Sequence, residues 1–239
     1  MTIYLILGAL ALAVEAALTS AMLFAPGLRK KQLAIKCVCS GWFIVTGVAA
    51  ALFAGKFSTY VLFVLLGLAA SFWGDFFLQV ENQERYFVVG VFCFMAAHVL
   101  YITAFSLAAS RLLPGRPFLS PWQAAALAVM IAGLLVMVVA ARMKLGGLLV
   151  PGIMYIAAIS LMFVKAASLG IFAFVTFPAQ HGTAALIELC AGALLFVISD
   201  VVLVFMIFCG KNTLRMRAVN LYTYFIAQAL FALSIYPVA

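Results

Sequence analysis

The chain has 239 residues, 69% of them hydrophobic and 8% charged, with a formal net charge of +8. Soluble domains carry about 45–50% apolar and about 25% charged residues, so a water-soluble globular domain is excluded. The lysines and arginines are scattered between apolar runs and form no basic stripe, so no nucleic-acid partner is expected; loop charge in a membrane protein accounts for the excess.

Crossing a bilayer takes about 20 apolar residues. The first run of that length, residues 3–25, carries Glu15. It is too long for the apolar core of a cleaved signal and lacks a basic lead, so it reads as the first span. A break from Pro26 to Lys31 precedes the second run, 35–54, which Lys36 opens. After residues 55–58 comes the third, 59–80, with Ser71, Gly74 and Asp75 near its end. Residues 81–85 separate it from the fourth, 86–109, which holds His98 and, one turn on, Tyr101. A longer break, 110–120, leads to the fifth run, 120–140, which has no ionisable residue. Beyond 142–146 lies the sixth, 147–170, with Tyr155 and Lys165. Residues 178–182 precede the seventh, 183–208, with Glu188, Ser199 and Asp200. The eighth, 218–236, follows residues 210–217 and carries Tyr224 and Gln228. The pattern predicts an all-α polytopic membrane protein of eight transmembrane helices, with residues 1–239 as one membrane domain. Tyr60, Tyr86, Trp122 and Tyr236 at run ends read as interface anchors.

Loop charge sets orientation. Ten lysines and arginines lie in or beside the odd loops (among them Lys36, Arg85, Arg142, Arg215 and Arg217), against Lys56, Arg111 and Arg116 in the even ones. The odd loops are therefore expected in the cytoplasm, with both termini outside, as for a multi-pass protein of a bacterial plasma membrane. Five cysteines form no CxxC pair and sit in or beside apolar runs, which reads as free buried thiols.

The two aspartates of the chain sit in related settings, Gly74-Asp75-Phe76-Phe77-Leu78 and Ser199-Asp200-Val201-Val202-Leu203. Each reads small-Asp-apolar-apolar-Leu, four helices apart, so both helices run the same way. This suggests a parallel four-plus-four internal repeat about an axis along the membrane normal. Such an axis brings Asp75 and Asp200 face to face in the cytoplasmic half. An ionisable group inside a span costs several kcal/mol and marks a functional site by default. Asp75 and Asp200 are thus the candidate catalytic residues, with Lys36, His98, Ser71, Ser199, Tyr155, Tyr224 and Gln228 as candidate substrate-binding groups around one cavity. Glu15, Lys165 and Glu188 form a second set, in which a structural Lys165–Glu188 pair is expected and Glu15 alternatively reaches the cavity. His181 reads as a solvated loop residue. There is no HExxH, GxSxG or P-loop, and two histidines exclude a three-histidine zinc site. No metal and no cofactor are expected.

The sequence resembles the lysoplasmalogenase family, the YhhN-like membrane proteins. The resemblance runs through Gly67–Leu78 with its Gly74-Asp75, Ala96–Tyr101 with its His98, Tyr155–Met162, Gly192–Leu203 and Thr223–Leu230. Many relatives open the second helix with a Lys-Pro pair; here it is Lys36-Cys37. The resemblance implies hydrolysis of the vinyl ether bond of lysoplasmalogens, alkenyl lysophospholipids with a choline or ethanolamine head, to a fatty aldehyde and a glycerophospho-base. Protonating the alkene carbon gives an oxocarbenium ion that water captures, much as in glycoside hydrolysis, and two close buried carboxyls can share the proton required. Lys36 with Arg215 and Arg217 suits the lipid phosphate. The same acids also suit a proton-coupled transporter or flippase of lysolipids or other amphiphiles.

Overall fold

A computed structural model describes residues 2–25, 31–80, 84–143, 145–210 and 212–239. The loop residues Pro26, Arg29, Lys30, Glu81, Lys144 and Lys211 lie outside the described residues. Among the described residues, eight helices are long and apolar enough to cross a membrane. They are α1 (Thr2–Phe24), α2 (Gln32–Ala54), α3 (Thr59–Gln79), α4 (Glu84–Leu112), α5 (Pro121–Ala140), α6 (Leu149–Thr176), α7 (Ala179–Phe208) and α8 (Leu214–Leu233). A short helix, α9 (Ile235–Val238), closes the chain. No strand occurs among the described residues.

Helix ends follow local chemistry. The Ser58 hydroxyl accepts from the Val61 N–H, and the Thr213 hydroxyl from the Met216 N–H, capping α3 and α8. Pro121 occupies the first turn of α5, and Gln123 Oε1 reaches back to the Ser120 N–H at 2.9 Å. Gly55 ends α2 at φ 64°, a conformation that glycine adopts without a Cβ clash.

The largest departure from the sequence reading is the connection between α6 and α7. Residues 178–182 read as a polar break, yet α6 runs on to Thr176 and α7 starts at Ala179, with Phe177 and Pro178 between them. Pro178 stops α6 because the residue before a proline avoids helical backbone. Gly182 lies inside α7, where an added Cβ would come within 2.8 Å of the Ala173 carbonyl. Its role is close helix approach, not a turn. His181 therefore sits in α7, its ring stacked on Tyr236 at 5.6 Å. Tyr60 is not an interface anchor either: it is 1% exposed, with its hydroxyl 2.7 Å from Ser234 Oγ. Tyr4 stacks on Tyr236, so both chain ends lie at one end of the bundle.

The packing pattern maps onto itself when each helix is moved on by four. α1 packs on α2, α2 on α3 and α3 on α4; likewise α5 on α6, α6 on α7 and α7 on α8. Between halves, α4 packs on α6 and, correspondingly, α8 on α2. A glycine eight residues before each aspartate lets the paired helices approach: Gly67 lies under the Tyr101 ring, and Gly192 under Phe231. The suspected four-plus-four arrangement is thus present in the packing. Its largest break involves α1 and α5. α1 packs on α8, but α5, the equivalent of α1, packs on α6 and stands off α4.

Candidate active site

Each aspartate is held by the two helices that the repeat assigns to it. Asp75 on α3 meets α2 and α8: Lys36 Nζ lies 3.1 Å from Oδ1, while Ser40 Oγ and the Tyr224 hydroxyl lie 2.6 and 2.7 Å from Oδ2. Asp200 on α7 meets α6 and α4: the Tyr155 hydroxyl donates to Oδ2 at 2.8 Å, and His98 Nε2 lies 3.4 Å from the same oxygen. His98 Nε2 is also 3.2 Å from the Tyr155 hydroxyl, so the three groups form a triangle.

The two carboxylates differ in what remains available. Both oxygens of Asp75 are engaged, and its side chain is 3% exposed. Asp200 Oδ1 has no protein partner among the described residues, and Asp200 lines a cavity. That cavity lies between α4, α5, α6 and α7, walled by Phe87 and Val91, Leu134 and Met137, Pro151 and Ile156, and Val204 and Phe208. Tyr155 and Asp200 are the polar side chains of an otherwise hydrocarbon lining. From Asp200 it follows α7 to Phe208, about 12 Å at 1.5 Å per residue.

The expected meeting of Asp75 and Asp200 face to face is not how the side chains are arranged. They share no hydrogen-bond partner, and aromatic rings stand between the clusters. Phe196 lies 4.8 Å from the His98 ring and packs edge-on against Tyr224 at 5.7 Å. Among the described residues, no hydrogen bond or shared partner joins the two carboxyls.

The remaining expected groups fall elsewhere. Tyr101 donates to Gln228 Oε1 at 2.6 Å, and Gln228 Nε2 donates to Ser71 Oγ at 2.8 Å, in a buried chain joining α4, α8 and α3. Ser199 points to α8, where it bonds the Asn220 carbonyl and accepts from Asn220 Nδ2. Lys36 is bound to Asp75 and does not line the cavity.

The expected Lys165–Glu188 pair is not formed. Lys165 bonds the Phe118 carbonyl and sits 3.7 Å over the Phe118 ring, whereas Glu188 Oε1 accepts from the Tyr4 hydroxyl at 2.5 Å. The two side chains leave their neighbouring helices in different directions, toward the segment before α5 and toward α1. Glu15 is fully buried in α1, its carboxyl without a partner among the described residues, and does not line the cavity. The sequence reading missed Ser40 and Asn220. Ser40 was findable, because it lies one turn after Lys36 on the same helical face.

An apolar wall with one carboxylate and one phenol at its inner end, and a buried imidazole beside them, suits an acid-catalysed reaction on an amphiphile. No curated protein and no solved structure matches the chain. The YhhN family model matches residues 31–235, which takes in α2 to α8 and every residue of both aspartate clusters, so the chain belongs to the YhhN family, the family of lysoplasmalogenases.

Proposed function

We propose that the protein hydrolyses the vinyl ether bond of lysoplasmalogens, with Asp200 as the acid. The observation that carries this reading is the state of its two oxygens. Oδ2 is held by Tyr155 and faces His98, while Oδ1 has no partner among the described residues and Asp200 lines a hydrocarbon cavity. A proton on this carboxyl belongs on Oδ1, because Oδ2 already accepts. It is then presented to whatever lies in the cavity.

The chemistry follows. Asp200 Oδ1–H protonates the alkene carbon remote from the ether oxygen. The positive charge forms on the carbon bearing oxygen, beside the new Asp200 carboxylate, which stabilises it as carboxylates do in glycoside hydrolysis. Water adds to that carbon and passes a proton back to Asp200. The resulting hemiacetal splits into a fatty aldehyde and the free hydroxyl of the glycerophospho-base. One water is consumed and the carboxyl is regenerated, so proton and water suffice.

Tyr155 and His98 fix the carboxyl and stabilise its charged form. Tyr155 spends its one hydrogen on Asp200, so the hydrogen along the His98–Tyr155 edge comes from His98 Nε2. Asp75 with Lys36, Ser40 and Tyr224 acts at a distance, by locking α2, α3 and α8 beside the site. The excess of lysine and arginine in the odd loops supports a cavity in the cytoplasmic half of the membrane.

The test is product analysis with purified protein in detergent. Alkenyl lysophosphatidylcholine is expected to give aldehyde and glycerophosphocholine in equal amounts. The matching saturated alkyl ether, which has no alkene to protonate, is expected to give none. Absence of aldehyde from choline and ethanolamine substrates alike rejects the reading.

A further inference from the structure

The break in the internal repeat has its own chemistry. In the first half, α1 closes over the Asp75 cluster by packing on both α2 and α8. Six of its residues are buried, and it is tied down where Trp42 Nε1 bonds the Ala11 carbonyl and where Ser20 meets the Tyr222 hydroxyl. The equivalent helix of the second half, α5, has one buried residue, Gln123. Its tethers gather at its N-terminal end: Gln123 bonds Ser168, Lys165 bonds the Phe118 carbonyl, and Arg116 lies over the Phe172 ring. Toward the other end, no side-chain hydrogen bond joins α5 to another helix among the described residues. The connection there turns through Arg142 at φ 53° and Gly146 at φ 51°. A helix held by polar contacts at one end and by apolar packing alone at the other borders a wedge of space. That wedge is the cavity in front of Asp200, walled on one side by Phe87 and Val91 of α4 and on the other by Leu134 and Met137 of α5.

We infer that the gap between α4 and α5 is a sideways entrance from the bilayer, through which the hydrocarbon chain of a single-chain lipid reaches Asp200. Both walls belong to membrane-spanning helices, so the gap faces lipid and not water. Its lining offers a chain the same solvent as the bilayer, so the chain crosses no desolvation barrier. The polar pair Asp200 and Tyr155 waits at the inner end. Asp75, with both oxygens engaged and its side chain 3% exposed, does not line this cavity. The two aspartates thus differ in access more than in setting. The inference deepens the hydrolase reading by naming the route and the chain site, but the route stands on packing alone.

The experiment labels the purified protein in phosphatidylcholine vesicles with a saturated alkyl ether lysophosphocholine carrying a diazirine midway along its chain. This probe resists hydrolysis, so occupancy is read independently of turnover. After irradiation, adducts are expected on Phe87, Val91, Leu134, Met137 and Val138. Leu134→Trp, which fills the wedge, is expected to cut those adducts at least tenfold and to raise KM for a bilayer-borne substrate. Adducts spread evenly over lipid-facing residues of all helices, or centred on α1 and α8, overturn the inference in the wild type, whether or not Leu134→Trp folds. Labelling at the gap without aldehyde release refutes the hydrolase reading and keeps the entrance. Aldehyde release without labelling there does the reverse.

Discussion

Lys36→Met removes the cation that neutralises a buried carboxylate. Lys36 Nζ is 3.1 Å from Asp75 Oδ1, with the two side chains 12% and 3% exposed, so solvent screens the pair little. Removing one partner of a buried pair costs about 3–5 kcal/mol, mostly for stranding the other charge. Ser40 and Tyr224 still donate to Asp75 Oδ2, which places the expected loss at the lower end, about 3 kcal/mol. Asp75→Asn strands a lysine instead, but a long side chain near a helix end can reach the interface, so about 1–2 kcal/mol is expected. The double variant buries no charge and should lose scarcely more than Asp75→Asn alone. The cycle then returns a coupling of about 2–3 kcal/mol, well beyond the additivity of independent sites. The assay is unfolding in mixed micelles titrated with dodecyl sulfate, followed by the fluorescence of Trp42, Trp73 and Trp122. Additive losses within about 0.5 kcal/mol would show two solvated charges and refute the structural role given to Asp75.

Three further outcomes follow from the geometry. Tyr155→Phe deletes the hydroxyl bond to Asp200, and a hydrogen bond to a charged group is worth about 1.5–3 kcal/mol, so kcat for aldehyde release should fall about 10–100-fold while the protein stays folded. Gly67→Ala sets a Cβ 2.4 Å from a Tyr101 ring carbon, forcing the ring off its bond to Gln228 and costing about 1–3 kcal/mol in the same micelle titration. Gly41→Ala, where an added Cβ meets nothing within 4 Å, should instead stabilise α2 by about 0.5–1 kcal/mol.

Eight spans are legible because hydropathy reports burial in lipid and protein alike, and the repeated small-Asp-apolar-apolar-Leu pattern carried the repeat. What stayed hidden is the rotation of each helix. In water an apolar stripe marks the inward face, but in a bilayer the outward face is apolar too, so periodicity does not say where a polar side chain points. Hence the sequence groups Ser199 with Asp200, its neighbour, although Ser199 faces α8. Hence also the sequence suggests a Lys165–Glu188 pair, although the partner of Lys165 is the Phe118 carbonyl, a backbone atom that residue types do not advertise. The difference between α1 and α5 was hidden for the same reason. α5 is the more uniformly apolar, and uniform apolarity fits a buried helix and a lipid-exposed one equally.

The sequence reading names two aspartates, and the structure distinguishes them: one has both oxygens engaged, the other lines a cavity. The most direct test is aldehyde release from alkenyl lysophosphatidylcholine by Asp200→Asn, with substrate binding measured alongside. Asparagine keeps the shape and the Oδ atoms' places but brings no transferable proton. General acid catalysis contributes about 10²–10⁴-fold, so the account predicts a fall in kcat of at least that order with binding and folding retained. A folded Asp200→Asn protein that turns over within threefold of wild type would contradict the assignment of Asp200 as the acid.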